Sequence, residues 1–256
     1  MSLAEALRDP NLFASFFKGK SWAGWRSFLN ALFAEVPRGS DLETYCVCTG
    51  RTSWPSAPFT EAVLVVGRRG GKSRILALIA TYLACFRSYA HLLAPGQRAR
   101  IVVLAKDREQ AGEIFDYVLG LIEAVPLLAP MVVRRDAETI ELSNRVTIAV
   151  TTASFRSVRG YTLAAALCDE VAFWRSADEA SANPDTEILR ALRPGLLNIP
   201  GSMLLVASSP YAKKGELYSA FRKYHGEDGA EVLVWKADTL TMNPAADRAY
   251  IDREYE

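Results

Sequence analysis

The chain has 256 residues, half of them hydrophobic, with 30 Lys and Arg against 29 Asp and Glu, a formal net charge of +1. That is enough apolar material for one large domain, or one domain with a small subdomain, and the neutral balance excludes a strong overall field drawing nucleic acid, so any DNA contact must come from local basic patches. Two distant histidines (His91, His225) and four cysteines (Cys46, Cys48, Cys85, Cys168) without a CxxC pair argue against a zinc or histidine-based site and read as reduced thiols of a cytoplasmic protein.

The N-terminus, Met1 to Arg8, is polar and has no secretory pattern. Residues 3–17 and 22–34 read as helices. Trp22, Trp25, Phe28, Leu29, Leu32 and Phe33 recur at helical spacing, a stripe that suits core packing better than a ligand surface. Residues 46–60 read as loop, with Thr49-Gly50-Arg51, Pro55 and Pro58. From there strands and helices alternate. A strand is predicted over 62–66, a helix over 72–88, a strand over 101–105 and a helix over 107–123 with Asp107 as its N-cap. Thr139–Leu142 and Arg145–Thr151 alternate apolar and polar residues around Ser143-Asn144, a hairpin pattern. Further strands are predicted over 163–168, 203–207 and 231–235, and helices over 186–192 and 214–224. A polar helix is predicted over 244–256, after Asn243-Pro244. The longest apolar helix, Ile75 to Phe86, is too short to span a bilayer. Buried strands alternating with helices imply an α/β fold, a mostly parallel sheet covered on both faces.

Between the first strand and the helix after it stands Gly67-Arg68-Arg69-Gly70-Gly71-Lys72-Ser73, followed by Arg74. Strand, glycine loop and helix with Gly-Lys-Ser at the junction form a phosphate-binding P-loop, or Walker A. Glycines let several backbone N–H groups approach one anion, and the helix start adds its free N–H groups. Lys72 would reach the β- and γ-phosphates of ATP, and the Ser73 hydroxyl would coordinate Mg²⁺. The usual first glycine is displaced by one: Val66 holds its place and Gly67 follows. A chance Gly-Lys-Ser at a turn is the plainer reading, but the flanking strand and helix weigh against it.

Hydrolysis needs more than a phosphate loop. Leu163 to Cys168 is an apolar run ending in Asp169-Glu170. There Asp169 would hold the Mg²⁺ shell as a Walker B acid, and Glu170 would orient and deprotonate the attacking water. An Asp-Glu pair can also simply cap the next helix. Arg159, before Gly160, and Arg156, Arg68 and Arg69 are candidates to stabilise charge building on the γ-phosphate. Ser208-Ser209-Pro210 ends another apolar strand and could sense the γ-phosphate, or could be an ordinary turn.

Taken in order, these residues resemble the ATPase domain of large terminase subunits, the motors that package DNA into tailed-phage and herpesvirus capsids. The loop Val66 to Ser73 is similar to that family's deviant Walker A. Val103-Leu104-Ala105-Lys106-Asp107-Arg108-Glu109-Gln110-Ala111 resembles its next strand-to-helix segment. Ile140 to Val146, Ser154, Arg159-Gly160 and Cys168-Asp169-Glu170 follow the run into its Walker B. The resemblance implies an additional-strand, RecA-like P-loop fold. It implies ATP hydrolysis with Mg²⁺, driving double-stranded viral DNA into a preformed capsid. Arg159 would be an arginine finger acting on the neighbouring subunit's ATP, and Ser208 and Ser209 would couple hydrolysis to movement. Portal protein, small terminase subunit and a homo-oligomer, a pentamer on the capsid, are the implied partners, with an isolated fragment expected to be monomeric and slow. The implied setting is the host cytoplasm, transiently at the procapsid portal.

Residues 1–210 are expected to form the ATPase core, including an N-terminal helical segment, 1–58. Residues 211–256 are expected to form a small lid or linker subdomain. The family's C-terminal nuclease domain is expected to be absent. Two other functions share these motifs: a helicase-like DNA-dependent ATPase, and a nucleotide-binding assembly module that does not hydrolyse. A helicase would normally bring a second core, and retention of Lys72 with Glu170 argues against the inert module. Lys213-Lys214 and Arg222-Lys223 are candidate DNA-phosphate contacts, although solvated charge is the default for such residues.

Overall fold

A computed structural model describes residues 1–153, 160–174, 184–249 and 251. In chain order the helices and strands are α1 (Leu3–Ala6), α2 (Ala23–Leu32), α3 (Asp41–Thr49), β1 (Glu61–Val66), α4 (Lys72–Phe86), β2 (Ala99–Ala105), α5 (Arg108–Glu123), β3 (Val132–Arg135), β4 (Thr139–Leu142), β5 (Val146–Thr152), β6 (Leu163–Cys168), α6 (Pro184–Leu196), β7 (Met203–Ser208), α7 (Gly215–Tyr224), β8 (Val232–Ala237) and α8 (Thr239–Met242). The strands form one sheet in the order β3-β4-β5-β2-β6-β7-β1-β8. From β5 to β8 every neighbouring pair is parallel; β3 and β4 add an antiparallel edge. The α/β architecture expected from the sequence is therefore the one present. No helix among the described residues is long and apolar enough to cross a membrane.

The central strands are apolar throughout because both faces are covered. Ala62, Leu64 and Val66 of β1 face one cluster, with Ile101, Val103, Leu205, Leu233 and Trp235; α2 to α5 pack there. Val63 and Val65 face the other, with Val102, Leu104, Val206 and Val234, under α6 and α7. Asp107 caps α5 as expected, its carboxylate accepting from the Gln110 N–H at 2.9 Å.

Two local expectations are corrected. Residues 3–17 are helical only over α1, since Pro10 and Asn11 fall in the turns that follow. Residues 46–49, expected as loop, close α3, which Asp41 anchors by accepting from the Ser27 hydroxyl at 2.7 Å and the Asn30 amide at 2.8 Å. Strand β3 is an exposed edge of sequence Val-Val-Arg-Arg, with no alternation to announce it. Residues 211–256, expected as a lid or linker subdomain, contribute one strand to the sheet. Strand β8 pairs in parallel with β1, residue for residue from Glu61 opposite Val232 to Val66 opposite Ala237. Val232 to Trp235 are buried and belong to the central sheet. Of the polar helix expected over 244–256, residues 250 and 252–256 lie outside the described residues.

Candidate active site

Three neighbouring strands deliver the site at their carboxyl ends. Strand β7 lies between β6 and β1. Strand β1 ends in the glycine loop, β6 in Asp169-Glu170 and β7 in Ser208-Ser209. The carboxyl ends of parallel strands are where α/β folds place ligands.

The loop needs its glycines. Gly71 has φ 93° and Arg69 φ 56°, both left-handed. A Cβ on Gly70 would come within 2.8 Å of the Val66 side chain, and one on Gly67 would collide with Thr239. Left-handed residues alternating along a loop turn successive N–H groups into a concavity, and α4 begins directly after it. The loop is also held from outside. The Trp25 indole N–H donates to the Gly70 carbonyl at 2.7 Å, the Thr239 hydroxyl to the Arg68 carbonyl at 2.9 Å and the Asn243 amide to the Arg69 carbonyl at 3.2 Å.

Lys72 is buried, and a buried ammonium must be paired. It donates to the Val66 and Gly67 carbonyls at 3.2 and 3.3 Å and to the Ser209 hydroxyl at 2.9 Å. Glu170 stands 3.4 Å away as its ion-pair partner. The Ser73 hydroxyl donates to Asp169 Oδ2 at 2.7 Å, and the Gln110 amide donates to the same oxygen at 3.1 Å. Asp169 is fully buried, and burial pushes its carboxyl up to about 6, against the Ser73 hydrogen bond, which pulls it down. Glu170 is left-handed, with φ 52°, and its N–H donates to Asp169 Oδ1 at 3.0 Å. A non-glycine residue in that region costs of order 1 kcal/mol or more, which the surroundings must supply. Trp174 supports the turn by donating its indole N–H to the Asp169 carbonyl at 2.8 Å. Ser208 ties β7 to the same turn, accepting from the Ala172 N–H at 3.2 Å.

Lys72, Ser73, Asp169, Glu170 and Ser209 thus form one constellation, with Ser208 beside it. Arg68 and Arg69 line a cavity of about 1140 Å³ that also touches Gly67, Ser209, Thr239 and Asn243. The Arg68 guanidinium lies 5.8 Å from the Phe173 ring centre. Arg74 is not part of this set: its guanidinium sits 4.7 Å from the Trp22 ring centre and 5.7 Å from that of Phe17. Arg159, Arg156 and Ser154 lie outside the described residues. Trp25, Gln110, Thr239 and Asn243 join the site without having been singled out for it; of these only Gln110 lay in a motif segment. Among the described residues no three His, Cys, Asp or Glu side chains cluster as a metal cage. The hydroxyl of Ser73 and the carboxylate of Asp169, meeting at 2.7 Å, are instead the sparse hard-oxygen set that suits Mg²⁺ shared with a phosphate ligand.

No family model matches the chain. None of the curated proteins matches it significantly. Among solved structures, the HK97 bacteriophage large terminase is 18% identical with a TM-score of 0.57, over 91% of this chain and 51% of that one. The chain therefore spans about half the length of that protein. The ATPase domain of the Thermus phage P74-26 large terminase is 16% identical with a TM-score of 0.57, over 89% of this chain and 91% of that one. The fold of this chain is the one those large terminase ATPase domains share.

Proposed function

We propose that this chain hydrolyses ATP as the ATPase domain of a viral DNA-packaging motor of the large terminase kind. The observation that carries the proposal is the convergence of Lys72, Ser73, Asp169 and Glu170 at adjacent strand ends. The shared fold supports it.

The N–H groups of Gly67 to Gly71 and the start of α4 cradle the phosphates. Lys72 binds β- and γ-phosphate oxygens. Those oxygens compete with Glu170 for the ammonium, so binding releases the carboxylate toward water. Glu170 then orients that water and accepts its proton while the water oxygen bonds to the γ-phosphorus and the bond to the bridging oxygen breaks, giving ADP and phosphate. Ser73 and Asp169 would hold Mg²⁺, which neutralises charge on the phosphate oxygens. Arg159 supplies positive charge to the γ-phosphate of a neighbouring subunit's ATP. Ser208 and Ser209 link Lys72 to the turn bearing Glu170 and pass on the loss of phosphate. The assembly that uses this chemistry is a ring, a pentamer at the capsid portal with portal protein and small terminase subunit, acting on double-stranded DNA in the host cytoplasm.

ATP turnover of wild type against Glu170→Ala is the direct test. Turnover falls by about 10² to 10⁴ while ATP still binds, the range expected for a lost general base. Turnover untouched by the change would sink the assignment. Mixing Arg159→Ala with Glu170→Ala subunits restores activity if the arginine acts in trans, and no mixture does if it does not.

A further inference from the structure

We propose that Trp25, Thr239 and Asn243 are positioning residues: they hold three consecutive loop carbonyls outward and so aim the loop's N–H groups at phosphate. The inference rests on the nucleotide-binding reading above. A trans peptide is planar, with its C=O and N–H antiparallel. Fixing a carbonyl therefore fixes the direction of the next residue's N–H. The carbonyls of Arg68, Arg69 and Gly70 accept from Thr239, Asn243 and Trp25. Each bond thereby turns the following N–H, that of Arg69, Gly70 or Gly71, away from the donor that holds the carbonyl. The Gly70 N–H donates to the Gly67 carbonyl at 3.3 Å and closes the loop across itself, so the N–H groups of Arg69 and Gly71 are the ones left for phosphate. A plane that flipped would set a carbonyl oxygen against phosphate oxygens, exchanging attraction for repulsion. Glycine-rich loops flip readily, so the preference must come from outside the loop.

The donors themselves are fixed by the core. Trp25 is 1% exposed and meets Phe28 edge-on, with ring centres 5.8 Å apart; Phe28 meets Trp235 at 5.4 Å. The Trp235 indole N–H points to the Met242 sulfur at 3.5 Å, in α8 beside Thr239 and Asn243. Helix α8 is capped by Asp238, which accepts from the Thr241 N–H at 2.7 Å. It lies against Gly24 of α2, where an added Cβ would come within 2.8 Å of the Thr241 carbonyl. Both sets of donors thus hang from Trp235 on β8, the strand next to the loop's own strand.

The test measures binding of tripolyphosphate and of a non-hydrolysable ATP analogue by calorimetry, with melting temperature alongside. Trp25→Phe keeps the ring and removes the donor; Thr239→Val keeps the shape and removes the hydroxyl; Thr239→Ser keeps the hydroxyl. Trp25→Phe and Thr239→Val each weaken both ligands about tenfold and by the same factor, because the base is not involved. Thr239→Ser stays within about twofold of wild type, and Thr239→Val melts where wild type does; this separates positioning from general stability. If Trp25→Phe does not fold, the Thr239 pair decides. Wild-type affinity for both ligands in Thr239→Val overturns the positioning role and leaves the nucleotide reading standing. Wild-type protein that binds neither ligand overturns both.

Discussion

The two faces of the sheet are unequally built. One carries α2 to α5 and a chain of large rings, Trp25, Phe28, Tyr45, Tyr82 and Trp235, all at most 1% exposed. The other carries α6 and α7 over mostly Val, Leu and Ile, with Trp174 as its buried large ring. The phosphate loop leans on the first face through Trp25 and, by way of Trp235 and Met242, through α8. The turn bearing Glu170 leans on the second, through Val171 and Trp174. The binding half of the site is therefore anchored in heavy aromatic packing, and the acid half rests on a lighter layer. That division suits the proposed mechanism, in which the loop grips phosphate while the acid turn responds to it.

Deleting a ring from the heavy face tests it most severely. Trp235→Ala is expected to cost about 3–5 kcal/mol in urea unfolding and also to weaken nucleotide affinity per folded molecule, because the donors to the loop lose their support. Leu192→Ala, buried on the light face, costs about 2–4 kcal/mol and leaves affinity per folded molecule unchanged. If both changes lower affinity alike, the division between the faces is not real.

Asp169→Asn separates stability from function within the acid half. In wild type the folded pKa is raised from 3.8 to about 6, so the folded protein binds more protons than the unfolded chain between those values. Wild-type stability thus rises as pH falls from about 6 toward 4, and the cost of the buried carboxylate is fully present above about 6. Without added metal or nucleotide, the Asn variant is expected to be more stable at neutral pH by roughly 1–3 kcal/mol and to lack that pH trend, while losing turnover. Thermal melts across pH 4 to 8 decide it.

The smallest effect is at the surface. Arg193 on α6 grips Glu61 at the start of β1 through two hydrogen bonds of 2.7 Å, and this contact holds the Arg193 pKa above its usual value. Both side chains are partly exposed, so Arg193→Ala is expected to cost less than about 1 kcal/mol. A larger loss would mean that the light face depends on this ion pair more than on its core.

Much of this was readable in the chain. Strands β1, β2, β6, β7 and β8 show as short apolar runs because each is buried on both sides, and the Asp107 cap needs only its own local turn. Helix α3 was hidden because its periodicity is blurred: Leu42 and Val47 are exposed while Asp41 and Thr49 are buried. What stabilises it is the acceptance by Asp41 of bonds from α2, a contact between elements. Arg74, which directly follows Ser73, has its guanidinium beside the aromatic rings of the N-terminal segment, a contact that its place in the motif does not announce.

The sequence alone determined where the glycine loop and the buried strands stand, because the loop's glycines and the strands' apolar runs are local patterns. Tertiary structure alone decided which side chains support the loop. Trp25, Thr239 and Asn243 lie 45, 171 and 174 positions from the carbonyls they hold. They reach them because β8, late in the chain, pairs beside β1 and because α8 packs against α2 next to the loop. No local pattern encodes that meeting; it follows from the order of strands in the sheet.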